Sequence, residues 1–167
     1  VFSVIEPSLA RLAQEAPHIE LSIHPYTPES EGLLASGELD FVIRGGAPDL
    51  SRVHARLLYS EHHLALASAD HPELVNGSMS VEVFFEQPHV VVRVPTGLAG
   101  DYEMEDSGIH RRKLVVSDHF MMAPYLVAGS RNVMTAPSRA ALRFAETHRL
   151  VAFEPPVPLA GFDYWIT

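Results

Sequence analysis

The 167-residue chain contains no cysteine, which removes disulfides and thiolate metal sites from consideration. A cytoplasmic home is compatible with that composition. Positive charge is also scarce. Twelve Lys and Arg stand against 21 Asp and Glu, for a formal net charge of -9. Surfaces that bind nucleic acid are normally basic, because phosphate contacts dominate their affinity. Direct DNA contact by this chain is therefore not expected. No apolar run reaches the roughly 18 residues that a membrane helix requires, so no membrane span is expected. The start, Val1-Phe2-Ser3-Val4, lacks a basic leader and an initiating Met, and reads as the beginning of a fragment. Catalytic punctuation is missing too. There is no Gly-x-Ser-x-Gly elbow, no Walker loop and no His-Glu-x-x-His helix motif. His62 and His63 are adjacent, and in a strand they would face opposite sides, so they do not form a chelating pair. No metal, no cofactor and no enzymatic activity are expected. The acidic residues within 101–106 read as a solvated face.

What is present is a core: 47% of the residues are hydrophobic, ordinary for a globular α/β protein. The organising stretch is 37–46. Gly37 follows an apolar helical segment and suits the left-handed position that ends a helix. Leu39, Phe41, Val42 and Ile43 then form a short apolar run, the pattern of a strand buried on both faces. Arg44 appears where the run ends, and Gly45-Gly46 lets the chain turn. In open α/β sheets, ligands bind just beyond the carboxyl ends of strands.

Before this stretch, Phe2, Ile5, Leu9, Leu12 and Ala16 mark one helix stripe, expected to start close to Pro7. Ile19, Leu21 and Ile23 alternate with polar residues and predict a half-buried strand. Residues 28–36 predict a short helix. After it, 53–59 and 62–69 predict two strands joined by a hairpin at Ser60-Glu61. Asn76-Gly77 is a turn signal. Ser80 is placed to cap a helix through Phe85. Strands are expected over 89–94, 114–117, 133–136 and 151–153. Asp118 is a candidate cap for a helix over 120–128 that Gly129 stops. Pro137 suits the first turn of a helix running to Thr147. Residues 155–158 form a stiff connector, and 162–167 a final strand. The alternation of helix and strand predicts two α/β lobes with a parallel sheet rhythm. Their expected extents are 1–72 with 156–167, and 73–155. Paired lobes usually take a small ligand in the cleft between them.

The chain resembles the effector-binding domain of LysR-type transcriptional regulators. The residues that carry the resemblance are Pro7-Ser8-Leu9-Ala10-Arg11-Leu12, Ala16-Pro17-His18-Ile19-Glu20-Leu21, and above all Leu33-Leu34-Ala35-Ser36-Gly37-Glu38-Leu39-Asp40-Phe41-Val42-Ile43. Ala69-Asp70-His71-Pro72 and the stretch 129–137 resemble the family more weakly. The resemblance implies two Rossmann-like lobes like those of type 2 periplasmic binding proteins, with a small-molecule inducer between them. It implies a homodimer or tetramer that pairs through the first helix and residues 19–23. It also implies a winged helix-turn-helix domain that is not in this sequence. The inducer is expected to be an aromatic or other small organic acid. A solute-binding protein of a transport system is the alternative.

The candidate effector-binding residues are Arg44, Gly45, Thr96, Gly97, His119, Phe120 and Thr135. Arg44 suits an anionic ligand, or alternatively a salt bridge to Asp40 or Asp49. Gly45 serves the turn or offers its backbone. Thr96-Gly97 follows a strand and stands at its rim. His119 and Phe120 lie between a strand and a helix start, where free N–H groups attract carboxylate oxygens. The resemblance to aromatic-responsive relatives points to the same pair. Met121 and Met122 offer an adaptable apolar wall or core packing. Thr135 can donate to a ligand or bond locally.

Overall fold

A computed structural model describes residues 2–94, 97–98 and 110–167. The chain forms two compact units, 1–60 with 162–167, and 61–161. The division falls earlier than 72/73 and later than 155/156, where the sequence suggested it. The reason lies in the strand His63–Ser68, which pairs wholly within the second unit.

In the first unit, α1 runs from Phe2 to Glu15 and carries Pro7 inside it. The expected start at Pro7 is thus corrected. A proline forgoes the bond from its own nitrogen, and the helix continues through it. The expected strand at 19–23 is also corrected. Residues 17–27 form no ladder, and Ile19, Leu21 and Ile23 are exposed at 61%, 48% and 59%. Alternation alone does not make a strand when no described segment supplies hydrogen-bond partners. Helix α2, Ser30–Ser36, ends at Gly37 with φ 78°. The Gly37 N–H donates to Leu34 O at 3.1 Å and the Glu38 N–H to Leu33 O at 2.9 Å, which satisfies the last carbonyls.

The buried run expected at 39–43 is shifted. Strand β1 is Ile43–Gly45, while Phe41 is 70% exposed and Val42 only 4%. The partner strand decides this. A final strand, Phe162–Ile166, pairs antiparallel with β1 through Ile43–Ile166, Arg44–Trp165 and Gly45–Tyr164. Val42 and Thr167 extend the ladder with reciprocal bonds of 2.9 Å. Arg44 therefore lies inside the strand rather than beyond it. The same final strand also borders β2, Arg56–Glu61, completing a three-stranded sheet.

The hairpin expected at Ser60-Glu61 does not form. Strand β2 belongs to the first unit's sheet, and β3, His63–Ser68, lies in the second unit's sheet. The latter sheet holds six strands. Beside β3 they are β4 (His89–Val94), β5 (Gly97–Leu98), β6 (Lys113–Ser117), β7 (Val133–Pro137) and β8 (Leu150–Phe153). The final strand of the first unit is then β9. Strand β3 is antiparallel to both β7 and β8, whereas β4 runs parallel to β6 and β7. The sheet is mixed, where the helix-strand rhythm suggested a parallel one.

Helix α3, Val81–Glu86, covers one face of this sheet. Ser80 caps it as expected, its hydroxyl accepting from the Val83 N–H at 3.3 Å. The backbone N–H of Glu82 and the Ser80 hydroxyl hold the Glu82 carboxyl below the usual carboxylate range. Phe84 is fully buried and meets Phe85, His89 and Phe153 edge-on, at 5.5, 4.9 and 6.3 Å between centroids. Ala65, Ala67, Met79 and Val133 complete that cluster. The Asn76-Gly77 turn has φ 50° and 75°, as an Asn-Gly pair allows.

The helix expected over 120–128 is shorter. It consists of one 3₁₀ turn, Phe120–Met122, followed by α4, Ala123–Val127. Asp118 does not cap it; the carboxylate instead pairs with Arg93 Nε at 3.0 Å. Gly129, with φ 66°, follows its end. Helix α5 is Ser138–His148, and Pro137 precedes it rather than opening its first turn. Phe84→Ala is expected to lower unfolding free energy by about 3–5 kcal/mol, because it opens a cavity beneath three rings. A urea titration followed by circular dichroism measures the loss.

Candidate functional site

The candidate residues fall into separate groups, one in each unit. In the first unit, strand pairing sets Arg44 opposite Trp165, which places both side chains on one face of the sheet. The Arg44 side chain is 19% exposed and forms an ion pair with Glu31 of α2. Its guanidinium carbon also lies 5.3 Å from the centroid of Tyr26. The partner is therefore Glu31, not the Asp40 or Asp49 that the sequence brought forward. Asp49 is engaged elsewhere. The Ser51 hydroxyl and N–H donate to it at 2.6 and 3.0 Å and hold its carboxyl below the ordinary range. The Trp165 Nε1 is buried and has no hydrogen-bond partner among the described residues. Gly45 packs against the Phe162 ring, which a Cβ there would approach at 3.2 Å and press aside by a few tenths of an ångström. Gly46, with φ 83°, makes the turn.

In the second unit, β4 and β6 are parallel neighbours with Val92 opposite Ser117. Their carboxyl ends therefore lie side by side. The Arg93–Asp118 pair bridges them at that end. Gly97 follows β4 and pairs with Val94, and His119 follows β6. Thr96 lies outside the described residues, as does the side-chain environment of Gly97. His119 is exposed, and its N–H donates to the Ser117 hydroxyl at 3.0 Å. Phe120 is half-buried against Phe144 of α5, at 5.4 Å between centroids. Met121 and Met122 are exposed at 56% and 43%, so neither is core.

Thr135 is separate from this rim. It is 6% exposed and sits opposite Ala65 on β7, on the face that carries Ala67 and Val133. No group of three or more metal-ligating side chains is found among the described residues. Tyr26, Glu31 and Trp165 were not anticipated as neighbours of Arg44. Each lies far from it in sequence or was masked by an ordinary helix or strand pattern. Glu61 was also missed. This carboxylate is only 5% exposed, and in the sequence it looked like one half of a hairpin turn.

Two α/β units, and parallel strands whose ends carry polar loops, define the ligand-binding class of α/β folds. The LysR substrate binding domain model matches residues 2–167, and the chain belongs to that family. Nodulation protein D 1 of Rhizobium leguminosarum bv. phaseoli is 26% identical over 162 residues, covering 94% of this chain and 51% of the relative. The HTH-type transcriptional regulator SyrM of Rhizobium meliloti (strain 1021) is 30% identical over 159 residues, covering 93% and 48%. The chain thus spans about half the length of these curated relatives. A probable transcriptional regulator from Pseudomonas aeruginosa shares the fold, with a TM-score of 0.86 at 24% identity; 99% of this chain and 56% of that one are covered.

The Glu31–Arg44 pair is partly exposed, so Glu31→Gln is expected to cost less than about 1 kcal/mol of stability. Arg44→Ala is expected to cost more, because it also strips the side chain from the Tyr26 ring. Urea midpoints of the two variants give the comparison.

Proposed function

We propose that this chain is the effector-sensing part of a LysR-type transcription regulator, and that its effector is a small organic acid, aromatic in the first instance. One observation carries the reading: the carboxyl ends of parallel strands β4 and β6 lie together, with Gly97 and His119 leading away from them. His119 is exposed and able to donate to a carboxylate or phenolate. Phe120 supplies an aromatic surface beside it. Arg44 supports the acid class from the first unit. Its guanidinium already holds the Glu31 carboxylate, so an incoming acid takes that place by exchange of like for like. Gly45 and Thr96 complete the proposed set, and the buried Thr135 is not part of it.

Effector binding shifts the population of arrangements, and a DNA-reading domain elsewhere in the full-length protein reports the shift. A sensing role rather than catalysis fits relatives named as a nodulation protein and a transcriptional regulator. Family membership likewise favours a regulator over a transport protein. No helix among the described residues is long and apolar enough to cross a membrane, in keeping with a cytoplasmic regulator.

A homodimer or tetramer is proposed to pair through α1 and residues 19–23. The exposed Ile19, Leu21 and Ile23 and the open backbone of that segment support this. Leu9, Leu12, Ala13, Ala16, Pro17, Ile19 and Leu21 line an adjoining groove of about 270 Å³. The side chain of Phe2 lies outside the described residues, while Ile5 is half-buried.

Calorimetry of the full-length protein against aromatic, aliphatic and amino acids tests the sensing proposal. Binding is expected in the aromatic acid class, and silence across all classes refutes a small-molecule sensor. His119→Ala is expected to weaken that binding about tenfold, as losing a hydrogen bond to a charged group would. It should change stability by less than about 0.5 kcal/mol, as an exposed substitution does. Equal losses in both make the histidine structural. Leu21→Glu is expected to shift the assembly towards a smaller species in light scattering; an unchanged mass excludes residues 19–23 from the interface.

A further inference from the structure

Trp165 is the single tryptophan of the chain. It lies on β9 opposite Arg44 of β1, on the same face of the first unit's sheet. Its indole Nε1 is buried and has no hydrogen-bond partner among the described residues. An indole nitrogen is a donor only, so burying it without an acceptor gives up its hydration with nothing in return. Native structures leave few polar groups in that condition, and a bound ion or ligand is one explanation for those that remain.

The same face already carries a partner for an anion. The Arg44 side chain is 19% exposed and meets the Glu31 carboxylate, and its guanidinium carbon lies 5.3 Å from the centroid of the Tyr26 ring. Tyr26, Glu31, Arg44 and Trp165 all belong to the first unit. Glu31 is the movable member. Its side chain is 32% exposed and it stands in the first turn of the seven-residue α2, so a change of rotamer turns its carboxylate to water. The Arg44 backbone meanwhile stays held by strand pairing.

We propose that this face is a carboxylate site in which Glu31 is the resident competitor and Trp165 the specificity-determining donor. An incoming carboxylate takes the place of Glu31 on Arg44, and its second oxygen accepts the Trp165 N–H. Glu31 leaves that N–H without an acceptor, so the exchange keeps the charge pair and gains a hydrogen bond. An aromatic ring on the acid would add contact with the Tyr26 and Trp165 rings. The proposal rests on the acid-sensing reading above and names the residues that would select the acid within the first unit.

Nuclear magnetic resonance of the indole Nε1–H in the full-length protein tests it, with the resonance assigned by its loss in Trp165→Phe. Benzoate is the probe, against sodium chloride at equal ionic strength. Benzoate is expected to move the resonance downfield, along the same saturation curve that calorimetry gives. Glu31→Gln removes the competing charge and should tighten benzoate about tenfold. Trp165→Phe should weaken it about tenfold, as loss of a hydrogen bond to a charged group predicts. Should the phenylalanine variant fail to fold, the wild-type titration and Glu31→Gln decide. An indole resonance that ignores benzoate, or follows chloride equally, overturns the proposal. So does a Glu31→Gln variant that binds benzoate no more tightly than the wild type. Indole movement while DNA binding ignores benzoate would refute sensing and leave the site standing. Altered DNA binding with an unmoved indole would do the reverse.

Discussion

Strand β3 has a hydrogen-bonded neighbour on each side, and the second unit depends on that double ladder. With β7 and β8 both antiparallel to it, the backbone groups of 63–68 are satisfied inside the sheet. Its inward side chains then need only be small and apolar. Ala65 and Ala67 leave room on one face for the large rings of Phe84 and Phe153, and Leu66 fills the other. Because β3 is committed on both edges, β2 cannot turn back against it. The chain instead passes from one sheet to the other at 61–63.

The same topology produces the candidate rim. Parallel neighbours share the direction of their ends, so β4 and β6 deliver two loops to one edge without any contact between those loops being needed. Strand β7 is also parallel to β4, but Thr135 lies in the middle of that strand rather than at its end, opposite Ala65 and on the face that carries Ala67 and Val133. In the first unit, Arg44 is held by three unlike interactions: strand pairing fixes its backbone, Glu31 neutralises it, and Tyr26 shields it.

Much of the fold was legible wherever a local signal decides the outcome. The Gly37 cap, the Ser80 cap, the Asn76-Gly77 turn and strand β4 depend on neighbours in sequence. Errors arose where a distant partner decides. Residues 19–23 alternate like a strand but have no described ladder. Phe41 looked buried, yet β9 pairs with 42–45 and leaves it out. Ser60-Glu61 looked like a turn because two strands flank it, and nothing local says that they belong to different sheets. Asp118 had the chemistry of a cap, but the parallel register of β4 and β6 brought Arg93 nearer. The site followed the same rule. The place of His119 and Phe120 directly after a strand was legible. The Arg44 partners were not, because Glu31 sits 13 positions away on a helix whose facing depends on packing.

The unladdered stretch before α2 also governs how the molecule behaves in a crowded solution. Its backbone joins no ladder among the described residues, and the exposed side chains of Ile19, Leu21 and Ile23 project from it. Such an edge has no inherent stopping rule. A closed pairing between two copies uses it up, whereas an open one leaves a fresh edge for the next copy to join. The net charge of -9 opposes that growth through repulsion between copies, and salt screens the repulsion. Raising the ionic strength therefore favours pairing between copies along such an edge.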